Sequence, residues 1–295
     1  MSSVIVIGNL DGVHRGHQAV LRQARAIADE RGLTVGVLTF DPHPTLVLRG
    51  SGPPLLTTIA RRVELLRHHG ADDVVVEPFT AALAAMTPAD FAKELLAERL
   101  RAKVVVVGAN FRFGAQRAGD LETLRAHGKD LGFDVAAAEI AGDAKGKYSS
   151  TRVRAAIDAG DLAEAAAILG RPHSISGTVE HGDHRGRTIG FPTANLGGVT
   201  EMLPPHGVYA VLADERPAVM NLGVRPTVDG QNLRLEVHLF DFDGDLYGQA
   251  LRVHFIAKIR DEKRFSGLDE LKAQIAADAA SARGLLAGLP PKAAR

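Results

Sequence analysis

Cysteine and tryptophan are both absent from this chain. Without cysteine there is no disulfide, thiolate zinc site, cysteine nucleophile or iron–sulfur cluster. An excess of charge is missing too: 35 basic residues balance 35 acidic ones over 295 residues. The halves hide no asymmetry, with 21 basic and 20 acidic residues up to Pro172 and 14 and 15 after it. A neutral chain gives no support to nucleic-acid binding by bulk charge. No apolar run approaches the roughly 18 residues of a membrane span. The start, Met1-Ser2-Ser3-Val4-Ile5-Val6-Ile7-Gly8, lacks the basic lead and long apolar core of a signal peptide. These absences predict a soluble, cytoplasmic protein with neither a nucleic-acid nor a membrane partner. What is present is ordinary: 45% hydrophobic and 24% charged residues, a globular composition too apolar for disorder. The length fits one large domain or two ordinary ones. Arginine outnumbers lysine 26 to 9, a mark of a GC-rich genome and not of function.

The first half alternates strands and helices. Val4–Ile7 is a β-branched run suited to a buried strand. Residues 16–31 space Val20, Leu21, Ala24, Ile27 and Ala28 along one helix face, and Gly32 is a plausible stop. Strands are expected at Leu33–Phe40, Asp73–Glu77, Lys103–Val107 and Phe133–Ile140, and helices at Ile59–His69, from Thr87 to about Leu100, and at Leu121–Leu131. Apolar strands separated by helices imply a parallel sheet covered on both faces. A short helix, Asp161–Leu169, precedes Gly170-Arg171-Pro172. Beyond it the helical period is lost. Alternating segments follow at Ile175–Glu180, Val208–Ala213, Val219–Leu222, Leu233–Phe240 and Leu251–Ile259, which read as an antiparallel sheet or small barrel. One amphipathic helix, Leu268–Leu286, closes it.

The strongest local feature is Gly8-Asn9-Leu10-Asp11-Gly12-Val13-His14-Arg15-Gly16-His17, between the first strand and the first helix. Ligands of open α/β sheets bind beyond the carboxyl ends of the strands. Glycines admit a phosphate to the backbone, and a helix N-terminus attracts an anion. Two histidines three apart, His14 and His17, are placed to donate to charge that builds on that phosphate. The plainer alternative is a glycine turn with two surface histidines. A zinc pair is weaker, since no further ligand cluster is evident. Three more stretches fall at the same sheet edge: Phe40-Asp41-Pro42-His43-Pro44, Gly108-Ala109-Asn110-Phe111-Arg112-Phe113-Gly114, and Tyr148-Ser149-Ser150-Thr151-Arg152-Val153-Arg154. Ser149 or Ser150 suits a helix cap, while Thr151 and Arg154 offer a hydroxyl and a cation to phosphate oxygens. His43 reads equally as a phosphate contact or a turn residue between prolines.

The His-x-Gly-His string resembles the nucleotidylyltransferase signature. The longer run with Asp-Gly-Val-His resembles the adenylyltransferase module of the bacterial bifunctional riboflavin kinase/FAD synthetases. Gly182-Asp183-His184-Arg185-Gly186-Arg187-Thr188-Ile189-Gly190-Phe191-Pro192-Thr193-Ala194-Asn195 resembles their flavokinase motif, and it is not a Walker A loop. Asn221-Leu222-Gly223-Val224-Arg225-Pro226-Thr227 resembles a loop near the nucleotide in that family, and Glu236 and Ile259-Arg260-Asp261-Glu262-Lys263-Arg264-Phe265 also match it. Asp241-Phe242-Asp243-Gly244-Asp245-Leu246-Tyr247-Gly248 has calcium-loop composition but lacks the later bidentate Glu, and reads as a hairpin turn. The likeness spans roughly residues 4–280. Leu10, Asn110 and Tyr148 stand where the family usually has Phe, often Asp, and an aliphatic residue. Many members carry a lead segment before the first strand, which here starts at residue 4, and that leaves a shortened N-terminus open.

The resemblance implies two domains. Residues 1–170 would be a Rossmann-like FMN adenylyltransferase domain with a parallel sheet. Residues 173–290 would be an antiparallel flavokinase β-barrel with a terminal helix. The barrel would phosphorylate riboflavin to FMN with ATP, with Glu236 as base and Mg²⁺ on Thr193 and Asn195. Those two share one face of an extended chain. Gly182, Gly186 and Gly190 would wrap the nucleotide, and Asn221 and Arg260 would border the ligands. The first domain would then adenylylate FMN to FAD and release pyrophosphate. There His14, His17 and Arg154 would act in catalysis, while Gly8, Asp11, Gly16, Asn110, Arg112, Ser150 and Thr151 would hold nucleotide or flavin phosphate. Two other readings stay open: an adenylyl- or cytidylyltransferase for another acceptor, and a non-catalytic flavin-binding or regulatory protein. No oligomeric state follows from the sequence.

Overall fold

A computed structural model describes residues 3–181, 191–227 and 230–288. Gly182, Gly186 and Gly190 therefore lie outside the described residues. The chain forms two compact units, Met1–Pro53 with Ile59–Ser150, and Pro54–Thr58 with Thr151–Arg295.

The first unit is a five-stranded parallel sheet. In chain order its elements are β1 (Ser3–Ile7), α1 (Arg15–Arg31), β2 (Thr34–Asp41), α2 (Pro44–Arg49), α3 (Ile59–His68), β3 (Asp73–Pro78), α4 (Ala81–Ala85), α5 (Pro88–Asp90), β4 (Ala102–Gly108), α6 (Leu121–Leu131) and β5 (Asp134–Ala138). The strand order is β3-β2-β1-β4-β5. The chain winds outward from β1 in both directions, so the crevice between the carboxyl ends of β1 and β4 is the point where strand order reverses. Alternate residues of β1 feed two separate cores. Val4 and Val6 pack with Leu21, Ala24 and Ala28 of α1 and Leu65 and Leu66 of α3. Ile5 and Ile7 pack with Leu95, Leu96, Leu124 and Phe133 on the opposite face. That is the two-sided burial expected of all-apolar parallel strands.

The helix expected from Thr87 forms with a difference. Thr87 Oγ1 accepts from the Asp90 amide at 3.1 Å and caps α5. Residues Phe91–Arg99 then continue as a π-helix, whose last bond joins Leu100 N–H to Leu95 O, five residues back, at 3.0 Å. Phe91, Ala92, Leu95 and Leu96 are all buried. Their spacing suits an α-helix equally, so sequence pattern does not separate the two.

The main segment of the second unit starts in α7 (Ser150–Asp158), whose first residue is counted with the first unit, and continues with α8 (Leu162–Leu169). Before them, two short strands, β6 (Gly142–Asp143) and β7 (Gly146–Lys147), pair in the first unit. The barrel strands are β8 (Ser174–Glu180), β9 (Ala194–Gly197), β10 (Gly207–Ala213), β11 (Arg216–Thr227), β12 (Gly230–Leu239) and β13 (Ala250–Arg260), and α9 (Leu268–Leu286) follows. They close in the order β10-β11-β12-β9-β8-β13, and among the described residues neighbouring strands pair antiparallel. Inward residues such as Met220, Leu222, Leu235, Val237, Ala194 and Leu196 fill the barrel. On the outer face Val208, Val219 and Phe240 pack against Ala282 and Leu286 of α9.

Two expectations are corrected here. Asn221–Thr227 resembles a family loop, yet it lies inside β11. The turn at Asp241–Gly248 is not a hairpin, because β12 and β13 are not neighbours in the barrel. Strand β9 is missed by pattern reading. Its four residues are too few to display an alternation.

Candidate functional site

The first site is the β1–α1 loop. His14 is the N-cap of α1: its Nδ1 accepts from the Gly16 amide at 3.1 Å and the His17 amide at 3.4 Å. Nδ1 is thus an acceptor, so the neutral ring carries its proton on Nε2 and is a donor there. Gly16 is required by this arrangement, since a Cβ would lie 2.9 Å from His14 Cε1. The His14 and His17 rings stack, with centroids 3.6 Å apart. Loop and rings sit at the N-terminus of a 17-residue helix, where the backbone favours negative charge.

The other expected residues of this site are placed as follows. Gly8 follows β1 directly, and its amide donates to Leu38 O at 3.1 Å. Asp11 is 2% exposed, and its carboxylate meets Arg62 of α3 at 3.3 Å. Ser150 Oγ donates to the Asp11 carbonyl at 2.9 Å. His43 caps α2 through Nδ1, which accepts from the Thr45 amide at 3.2 Å. Asn110 is exposed just beyond β4. Arg112, also exposed, pairs with Asp120 at 3.2 Å. The Thr123 amide holds the Asp120 carboxyl below its usual range. Thr151 and Arg154 ride on α7 and belong to the second unit. There Arg154 Nε donates to Pro54 O at 2.7 Å.

The second site is on the barrel's outer face. Register places Asn221 of β11 opposite Glu236 of β12, and Glu236 opposite Asn195 of β9. Directly opposed residues point to one face of a sheet, so three expected residues form one row across three strands. Their neighbours in sequence, Leu222, Leu235, Val237, Ala194 and Leu196, point inward. The row therefore faces out. Arg234 Nη1 donates to Glu236 Oε1 at 2.9 Å, and His238 donates from Nδ1 to Pro192 O at 2.7 Å, fixing the start of the Pro-Thr-Ala-Asn run. A cavity of about 360 Å³ lies between this face and α9, lined by Thr193, Asn221, Glu236, Arg260, Phe265 and Asp278 among others. A smaller one, about 80 Å³, is lined by Thr193, Asn195, Leu246 and Tyr247 among others. Thr193 borders both.

Thr193, Asn195 and Glu236 offer a hydroxyl, an amide oxygen and a carboxylate, all hard oxygen donors. Among the described residues there is no cluster of three or more His, Cys, Asp or Glu side chains that could hold a metal. This donor set fits Mg²⁺ bound through one or two protein oxygens plus substrate phosphates, the usual habit of that ion.

Sequence reasoning missed Arg62, Arg234 and Asp278. Each acts on an expected residue from elsewhere in the fold, or beside it on a strand, and none belongs to a local motif. The Arg234–Glu236 spacing of two was the single readable clue, because alternate strand residues share a face.

Two family profiles match the chain in order: FAD synthetase over residues 1–152 and riboflavin kinase over residues 169–286. The bifunctional riboflavin kinase/FMN adenylyltransferase of Escherichia coli K12 is 44% identical, covering 95% of this chain and 91% of that protein. Its counterpart in Bacillus subtilis 168 is 37% identical, covering 94% and 90%. A solved structure described as a macrolide-efflux protein from Streptococcus pneumoniae is 34% identical, with a TM-score of 0.85 and coverage of 96% and 94%. No helix among the described residues is long and apolar enough to cross a membrane. Both profiles and near-full-length relatives agree, and the chain belongs to the bifunctional riboflavin kinase/FMN adenylyltransferase family.

Proposed function

We propose that this chain phosphorylates riboflavin to FMN on the barrel and adenylylates FMN to FAD on the parallel sheet. ATP is the co-substrate of both steps. The observation that carries the kinase reading is the row Asn221–Glu236–Asn195 beside the 360 Å³ cavity. For adenylylation it is the stacked His14–His17 pair at the start of α1. Residues 1–170 are read as the adenylylating domain and residues 173–290 as the kinase. These activity boundaries need not coincide with the compact units.

In the kinase, Glu236 accepts the proton of the ribityl hydroxyl as it attacks the γ-phosphorus of ATP, and ADP leaves. By resemblance, Arg260 borders the flavin and Asn221 lies near the nucleotide. Thr193 and Asn195 would hold Mg²⁺, which when bound neutralises phosphate charge. Gly182, Gly186 and Gly190 are assigned to the nucleotide phosphates by resemblance. Catalysis here is mainly positioning and electrostatics, as in other phosphoryl transfers.

In the second step the FMN phosphate attacks the α-phosphorus of another ATP, and pyrophosphate departs. No covalent enzyme intermediate is needed. His14 and His17 donate to the oxygens that gain charge. By resemblance, Ser150 and Arg154 are assigned to the departing pyrophosphate and Thr151 to the nucleotide phosphates. Gly8, Asp11 and Gly16 shape the phosphate-facing loop, and Asn110 and Arg112 face the nucleotide or the flavin phosphate. Side-chain assignments in both sites rest on this geometry together with the family resemblance.

The test is a chromatographic product assay with riboflavin and Mg-ATP. FMN should appear first and FAD second. His17→Ala should lower FAD formation by about 10²-fold or more while sparing FMN formation. Glu236→Ala should lower FMN formation by about 10²–10⁴-fold while sparing FAD formation from added FMN. Full FAD synthesis by the first variant and full riboflavin phosphorylation by the second would sink the assignment. Flavin binding without ATP turnover would point to a regulatory protein instead.

A further inference from the structure

The loop that carries the histidine pair is strained. Leu10 has φ 52°, Gly12 φ 83° and Val13 φ 40°. Glycine adopts such angles freely. A β-branched residue does not, and one found there is an outlier that persists only where its surroundings over-determine it. Val13 is fully buried and adjoins His14.

The surroundings can be named. Thr39 Oγ1 donates to Asn9 O at 2.9 Å. Gln18 Nε2 donates to Val13 O at 2.9 Å. Ser150 Oγ reaches Asp11 O. Arg62 makes the widest set of ties. Its Nη1 donates to Asn9 Oδ1 at 3.3 Å and to Phe40 O at 3.3 Å, and its Nη2 donates to Asp11 Oδ1 at 3.3 Å. One guanidinium thus joins the loop after β1 to the end of β2. It does so from α3, beside Leu65 and Leu66, which belong to the core beneath α1.

Both partners are buried, Arg62 at 3% and Asp11 at 2% exposure. A buried ion pair is a poor source of stability, because an apolar pair of similar volume commonly does as well. Stability alone therefore does not explain an arginine here. Geometry does: a planar fork can hold three oxygens in fixed relation, and a lysine cannot.

We propose that Arg62 is a positioning residue for adenylyl transfer. It clamps the strained Asn9–Val13 turn against β2 so that His14 and His17 keep their stacked, substrate-facing arrangement at the start of α1. The inference deepens the adenylylation reading above and rests on it. Arg62 itself touches no reacting atom.

The test uses the full chain and four proteins: wild type, Arg62→Lys, Arg62→Met and His17→Ala. Each is assayed for kcat and KM of FAD formation from FMN and ATP. Riboflavin phosphorylation is measured on the same preparations, and turnover is normalised to the folded fraction from circular dichroism. Arg62→Lys retains the buried charge and loses the fork. Its kcat for FAD formation should fall about tenfold to 10²-fold, the scale of a misplaced catalytic group. KM for FMN and for ATP should stay within about threefold, and kinase turnover should be unchanged. Arg62→Met should lose at least as much kcat. Wild-type kcat in Arg62→Lys overturns the proposal, as does a loss confined to KM or one that vanishes on normalisation to folded protein. If His17→Ala also keeps full FAD synthesis, the adenylylation reading has failed with it. Loss in His17→Ala with full activity in Arg62→Lys would overturn the clamp alone.

Discussion

Arg260 is steered by a carboxylate 18 residues further along the chain. Asp278 of α9 accepts from its Nε at 2.9 Å and its Nη2 at 2.7 Å, and also from Gln274 at 2.9 Å. The Asp278 side chain is 6% exposed and that of Arg260 is 22% exposed. Losing the carboxylate leaves a half-buried guanidinium without its forked partner. We expect Asp278→Ala to cost about 1–3 kcal/mol, as removing one partner of a charged hydrogen bond commonly does. Because Arg260 borders the flavin cavity, KM for riboflavin should rise severalfold while kcat changes less. Urea unfolding and kinase kinetics together check this. Unchanged stability with unchanged KM would show that Asp278 does not hold Arg260. The pair also shows what the sequence could and could not reveal. Arg260 stands in a recognisable run, Ile259–Phe265. Asp278 is one acidic residue among several on an amphipathic helix, and its partner is set by how α9 lies on the barrel. Arg62 was hidden in the same way. Its helix was legible, but the loop it grips lies 51 residues away.

Helices and parallel strands were the most legible elements, because their patterns are long. Leu121–Leu131 and Leu268–Leu286 form over the residues expected, and the five sheet strands fall within a residue or two of expectation. Short or strained elements were not legible. Strand β9 spans four residues and lies in a run that reads as a ligand loop, yet it places Asn195 opposite Glu236. The φ angles of Leu10 and Val13 leave no trace in composition, since neither residue type favours that backbone. Helix α6 offers a test of packing against propensity. Gly128 lies mid-helix, and a Cβ there would sit 2.5 Å from the Phe133 carbonyl oxygen. Alanine would gain about 1 kcal/mol of helix propensity. The clash is with backbone just before β5, which cannot swing aside as a side chain can. Overpacking of that kind costs about 1–3 kcal/mol, so the net effect of Gly128→Ala should be destabilising. A raised melting temperature would mean that α6 can shift away from the Phe133 carbonyl cheaply.

Across the molecule, charge balances in each half and two separate architectures share one chain. Hydrophobic period alone predicted the change from a 3.6-residue to a 2-residue repeat near residue 170. It could not predict which polar residues the barrel would bury. Glu201 is one, at 5% exposure. Its oxygens accept from the Ser176 amide at 3.0 Å and the Thr200 amide at 3.3 Å. Burial is nevertheless the larger influence, and it raises the carboxyl above its usual 4.5. The consequence for stability has a definite sign. A carboxyl whose folded value is raised binds its proton more tightly in the native state than in the unfolded one. Its stabilising contribution is complete below about pH 4.5 and is lost as pH rises through the raised folded value. Glu201→Gln keeps the neutral form at every pH. The stability of wild type minus that of the variant should therefore fall as pH rises from about 4 to 8. The chain has no tryptophan and three tyrosines, two of which, Tyr209 and Tyr247, lie in the second unit. Tyrosine fluorescence in urea thus reports mainly on the unit that holds Glu201. A flat difference across that range would mean that Glu201 titrates alike in the folded and unfolded chain, so that the two amides offset its burial.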